Sequence, residues 1–231
     1  SELLERLGVV ETGRKSQGYT SGEPDGPLVV MRGLPIEAAS SRFAPASFDL
    51  IISRSVLEHI AQPDQAFLTM DRLLAPGGRM IHTIDFRDHG LFTRSGFHPL
   101  TFLTVPESVY RWMAIDSGQP NRRLLPYYRQ QMQAFHYEAQ IRITRLLGAS
   151  TTLTSPKAHL TSGVDYTDST LDLLRQIRPK LRAPFRKFSD EDLLAAGIIL
   201  VANNSKSMQE QGQLLCRSCQ QFESFRQSDS Q

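Results

Sequence analysis

The run Phe48-Asp49-Leu50-Ile51-Ile52-Ser53 and the later run Met80-Ile81-His82-Thr83-Ile84 constrain this chain more than anything else in it. Both are short, apolar and rich in β-branched residues, so both read as strands. Between them, Ala66, Phe67, Met70, Leu73 and Leu74 recur at helical spacing behind Pro63, which suits a first helical turn. Pro76-Gly77-Gly78 then stops the helix. The order strand, helix, glycine turn, strand demands a crossover, and a crossover joins parallel strands. Leu50, Ile51 and Ile52 are continuous rather than alternating, which predicts burial on both faces of the sheet.

The rest of the chain adds elements around this unit. Residues 1–8 read as a helix stopped by Gly8, residues 11–27 as a long loop, and Leu28–Met31 as a short strand. Helices are expected at Val105–Ile115, Pro126–Phe135 and Leu171–Ile177. Tyr137–Leu147 fits a strand or a helix, and residues 148–168 read as a polar loop. Ser189-Asp190-Glu191-Asp192 has the chemistry of a capped helix start. Ile198–Ala202 reads as a last strand. Residues 203–231 are rich in Gln and Ser and read as a disordered polar tail, giving a domain over 1–202.

Composition narrows the function classes. The 26 basic and 24 acidic residues nearly balance, which gives no electrostatic case for nucleic acid or a membrane surface. No window approaches a membrane span of about 18 apolar residues, and Ser1–Glu11 has no apolar signal core. A cytoplasmic protein is the expectation. Cys216 and Cys219 lie in the tail and imply no disulfide framework. Ser1–Leu7 reads as the middle of an amphipathic helix, so the chain reads as a fragment.

Ser47-Phe48-Asp49-Leu50-Ile51-Ile52-Ser53 followed by Val56-Leu57-Glu58-His59 resembles the fourth-strand signature of the methyltransferase type 11 group, a class I S-adenosylmethionine-dependent family. Arg72-Leu73-Leu74-Ala75-Pro76-Gly77-Gly78 resembles the turn that group carries before its fifth strand. Residues 185–202 are similar to the closing segment of some bacterial members. The resemblance implies an α/β fold: a partial Rossmann-like parallel sheet flanked by helices, with its first strands absent. It implies S-adenosylmethionine as cofactor, held in the crevice outside the carboxyl ends of the strands. No Gly-x-Gly-x-x-Gly follows a strand here, so the half that cradles the amino-acid end of the cofactor is missing from the pattern. Weak binding of S-adenosylmethionine by this chain alone, or none, is the expectation. Glu11 behind Val9-Val10 is the nearest approach to a ribose-binding acid.

Site residues follow from the same resemblance. Ile36 and Glu37, after the third strand, would lie against the adenine. Ser53, Arg54 and Ser55, after the fourth, would touch the methionine part, and His59 would line the pocket. Ser55 also reads as the cap of a Ser-Val-Leu-Glu capping box closed by Glu58. His82 reads as a core histidine donating to backbone.

Asp85, Asp88 and His89 leave the end of the fifth strand, where acceptor-side groups gather, and are the catalytic candidates as general bases. The competing reading is a turn in which the aspartates bond local backbone, and no metal ligand is assigned. The acceptor is expected to be a small molecule or a glycan. A non-catalytic Rossmann-like remnant that binds a partner without cofactor is the alternative. A nicotinamide oxidoreductase would need the absent glycine fingerprint and has no Tyr-x-x-x-Lys.

Overall fold

The computed structural model describes residues 31, 33–114, 117–148, 152–207 and 210. The expected helix at 1–8, the loop at 11–27, Glu11, most of Leu28–Met31, Cys216 and Cys219 lie outside the described residues.

Five strands form one sheet in the order β1-β2-β5-β3-β4. They are β1 (Phe48–Arg54), β2 (Leu74–Asp85), β3 (Glu138–Leu146), β4 (Thr152–Lys157) and β5 (Ala195–Asn203). β1 and β2 are parallel, with Ile51 opposite Met80 and Ser53 opposite His82. The helix between them, α1 (Pro63–Leu73), starts on its proline as the sequence requires. β5 runs antiparallel to both β2 and β3. The sheet is therefore mixed, with its parallel pair at one side.

One face of the sheet carries Met80, His82, Ile84, Ile143, Ile198 and Leu200, all buried. α1 and α3 (Leu125–Ala134) pack on the sheet, and Phe67, Met70, Leu125 and Tyr128 join these residues in a single core. The opposite face is barer. Leu50 and Ile52 on β1 remain 48% and 63% exposed. The expected burial of β1 on both faces is thus not met: continuous apolarity marks a strand built for cover on both sides, and among the described residues only one side has it.

Three further expectations change. β4 forms within the stretch read as a polar loop, because Thr152–Lys157 pairs along β3 despite its polarity. Ser53 and Arg54 belong to β1 itself and do not follow it. The Pro-Gly-Gly turn lies inside the span of β2, where the β1 register slips between Phe48 and Leu50. That turn needs glycine. Gly77 has φ +76°, and a Cβ on Gly78 would stand 2.8 Å from the Ala75 carbonyl oxygen. Asn204 docks on the turn: Gly77 N–H donates to its carbonyl at 2.7 Å, and its own N–H donates to the Gly78 carbonyl at 2.8 Å.

The remaining helices are α2 (Glu107–Ala114), α4 (Asp168–Ile177), α5 (Ala183–Arg186) and α6 (Asp190–Leu194). The capped start at Ser189 forms as read: Ser189 Oγ accepts from Asp192 N–H, and the Asp192 carboxylate accepts from Ser189 N–H. Packing runs past the expected boundary at 202/203, since Asn204 and Lys206 are buried. Among the described residues, no helix is long and apolar enough to cross a membrane.

His82 is fully buried in β2, and its Nδ1 bonds Ser53 Oγ at 2.7 Å. Its expected donation to backbone is replaced by this cross-strand pair. Nε2 has no partner. Burial alone drives the pKa of His82 down to about 4. The unfolded chain then takes up a proton near pH 6.5 that the native chain refuses until about pH 4. Stability is complete above pH 6.5 and falls as pH drops through that window, by about 3 kcal/mol from this residue. Urea unfolding from pH 7 to 4 should therefore show a shallower decline for H82Q than for the parent. Equal slopes would mean that His82 does not contribute.

Candidate functional site

The carboxyl ends of β1 and β2 open at Arg54 and Asp85, and the loops leaving them meet. The chain turns at Ser55, with φ +51°, its N–H held by the Thr83 carbonyl at 2.8 Å. A single 3-10 turn, Leu57–His59, follows. The expected Ser55–Glu58 capping box does not form, because the turn is too short and begins at Val56. Glu58 is 1% exposed and points elsewhere: its Oε1 accepts the Asp85 N–H at 3.2 Å. The carboxylate thus ties the end of β2 to the loop after β1. Its Oε2 has no partner. Burial raises the Glu58 pKa, and hydrogen bonds from the Glu58 and Asp85 backbones offset only part of this.

Asn121 fixes this turn from across the chain. Its N–H donates to the Glu58 carbonyl at 2.6 Å, and its side-chain amide donates to the Leu57 and Ile60 carbonyls at 2.8 and 3.0 Å. His59, beside Glu58, is exposed and lies 4.8 Å from His89, ring centre to ring centre, edge to face.

The loop after β2 separates the three catalytic candidates into different roles. Asp88 is 2% exposed, and both its oxygens are taken. Oδ1 accepts from Gly90 N–H and Thr93 Oγ1, and Oδ2 from Phe92 and Thr93 N–H, at 2.8–3.1 Å. Burial alone would raise its pKa, but these donors outweigh burial and lower it. Asp85 is gripped by Arg87, whose Nε and Nη2 reach both carboxylate oxygens. Burial opposes ionisation there too, and the Arg87 bonds and charge prevail, so its pKa is lowered. Two carboxylates so stabilised as anions are weak bases.

His89 differs. Burial favours its neutral form and lowers its pKa, with the Asp85 charge pulling the other way. It sits at φ +48° near the Gly118 backbone, which favours its charged form, while its Nε2 is buried without a hydrogen-bond partner.

Asp85, Asp88 and His89 line a cavity of about 590 Å³ together with Arg94, Leu100 and Ala196. His59 and Gly118 line a second, of about 1110 Å³, with Tyr110, Arg122 and Phe185. Ser53, Arg54, Ser55, Ile36 and Glu37 line neither. Ile36 and Glu37 begin a 3-10 turn packed on α1, where the Glu37 carbonyl accepts Thr69 Oγ1 at 3.3 Å. Reasoning from sequence missed Glu58 as a site residue, reading it as a cap. The signal available was a carboxylate directly beside His59 on a turn following a strand.

The described residues supply some of the groups that a methyl-donor crevice needs and lack others. They offer the carboxyl ends of two parallel strands and loops bearing imidazoles and carboxylates. Among the described residues no glycine-rich turn follows a strand, so by themselves they do not fit the amino-acid end of S-adenosylmethionine.

Residues 21–82 match the family model of a methyltransferase domain. No curated protein sequence matches the chain. Among solved structures, the chain is similar to phosphoethanolamine N-methyltransferase 2 of Haemonchus contortus, at 16% identity and a TM-score of 0.36, over 71% of this chain and 35% of that one. It is similar to the YcgJ protein of Bacillus subtilis at 14% and 0.36, over 72% and 68%. An S-adenosylmethionine-dependent methyltransferase of Mesorhizobium loti is 12% identical, with a TM-score of 0.35, over 73% and 67%. The chain thus spans about a third of the Haemonchus enzyme. Residues 21–82 thus resemble a methyltransferase domain, and the matched stretch takes in β1, α1 and most of β2.

Proposed function

We propose that this chain takes part in methyl transfer from S-adenosylmethionine to a small-molecule or glycan-type acceptor, and that the described residues form the acceptor side of the crevice. The observation that carries this reading is the convergence of the loops after β1 and β2. Glu58 and Asp85 are joined by a hydrogen bond where two parallel strands end, in a stretch that overlaps the methyltransferase match. Methyl transfer asks for little chemistry from the protein, because the sulfonium is already activated and positioning supplies most of the rate. Such a site needs a shaped wall and a held loop. Asp88 holds the loop, and the two cavities supply the shape.

Isothermal titration of the full chain with S-adenosylmethionine tests the reading together with a labelled-methyl assay over alcohol, amine and carboxylate acceptors. The missing glycine turn predicts affinity weaker than micromolar, with methyl transfer detectable only at high cofactor. Absence of any binding and any transfer would sink the enzymatic reading. Among the described residues β1 is an edge strand with a bare face, and its exposed Leu50 and Ile52 favour a second reading, a partner-binding module. A cytoplasmic location suits either.

A further inference from the structure

We propose that Glu58, His59 and His89 form a binding site for a divalent transition-metal ion. One ligand atom from each residue lies within 4.8 Å of the other two. The three residues come from two loops brought together only by the parallel pairing of β1 and β2, so the cluster is a product of the fold and not of one turn. Glu58 is 1% exposed, and its Oε2 has no hydrogen-bond partner. Nε2 of His89 is likewise buried and without a partner. A buried carboxylate oxygen and a buried imidazole nitrogen with nothing to bind are costly, and a cation between them removes both costs.

The donor set sets the chemistry. Two imidazoles and one carboxylate suit Zn²⁺, Co²⁺ or Fe²⁺ and leave coordination positions open. They suit Mg²⁺ and Ca²⁺ poorly, since those ions prefer all-oxygen shells. Ligand atoms around a tetrahedral zinc stand about 3.4 Å apart when bonds are about 2.1 Å, so the trio must close by at most about 1.5 Å. The exposed His59 ring is free to make that movement, while the other two ligands are already set. Asp85 N–H pins Glu58 through Oε1, Asn121 pins the turn that carries Glu58 and His59, and the half-buried His89 ring packs edge to face on His59. Partners of this kind orient metal ligands in established sites. His89 faces one cavity and His59 the other, so an ion held between them has its open positions toward space that an acceptor can enter.

The test is cobalt titration of the full chain carrying C216S and C219S, which removes sulfur ligands, after treatment with a chelator. Binding of one Co²⁺ per chain with a visible ligand-field band, displaced by Zn²⁺, is expected. H59Q should weaken it by more than the about 10–100-fold typical of losing an outer-shell partner. H136N, at an exposed histidine elsewhere, should leave it unchanged. His59 is on the surface, so H59Q keeps the fold, and circular dichroism checks this. In the parent, Zn²⁺ should shift the ring resonances of two of the six histidines. A folded parent without a cobalt band overturns the proposal, as does H59Q binding as tightly as the parent. Neither result bears on methyl transfer, which calorimetry with S-adenosylmethionine decides separately.

Discussion

K206A should lose about 3–5 kcal/mol of stability, the cost of stranding a buried charge. Lys206 Nζ donates to Asp71 Oδ1 and, at 2.7 Å, to the Phe135 carbonyl, and it lies 4.0 Å from the centre of the Tyr137 ring. Tyr137 OH donates to the same Asp71 oxygen at 2.6 Å. The side chains of Lys206 and Asp71 are 5% and 1% exposed, so no solvent replaces the ammonium once it is gone. The same principle predicts that removing both charges costs far less, so D71N/K206M should recover most of the loss. Guanidinium unfolding of the two single variants and the double variant measures the coupling. If the single and the double losses simply add, the pair does not act as a unit.

The second large effect falls on the loop after β2. D88A removes the acceptor for three backbone N–H groups and the Thr93 hydroxyl in a nearly buried position. Each donor left unsatisfied and buried costs about 1–3 kcal/mol, and partial access of water brings the expected total to about 3 kcal/mol. D88N keeps its shape and one carbonyl acceptor and should lose about half as much. Because Asp88, His89, Gly90 and Thr93 line the cavity of about 590 Å³, ligand binding there should fall in D88A by more than the loss of stability explains. Hydrogen exchange at Phe92 and Thr93 locates the change: fast exchange of these two amides in D88A alone confirms that Asp88 is the anchor, and unchanged protection refutes it.

The β1–α1–β2 unit was legible because each piece speaks locally. Apolar runs, a proline at a helix start and a double glycine at a turn need no distant partner to be read. The capping box at Ser189 was legible for the same reason. The Ser55 box had the same residue pattern and failed because Glu58 found a better donor in the Asp85 backbone, a residue far along the chain. β4 was hidden because its residues are polar, and only the open edge of β3 recruits them. Asp85, Asp88 and His89 could be placed at a strand end from sequence. Their division into an ion pair, a loop anchor and an imidazole with a buried, unpartnered Nε2 depends on Arg87, Thr93 and the packing around His89, and spacing alone does not reveal it. Glu58 belongs to the same class of hidden residue, since its importance lies in what surrounds it.

β5 sits in the middle of the sheet yet is the last of the described strands along the chain, paired with β2 on one side and β3 on the other. About 110 residues separate its first residue from the end of β2. At about 5–20 residues per second, a ribosome needs roughly 5–20 seconds to deliver it. For that interval Met80, His82 and Ile84 have an open flank, and β3 and β4 have nothing to join. A partly made chain that ends short of β5 therefore cannot close this sheet and keeps its apolar flank open to aggregation.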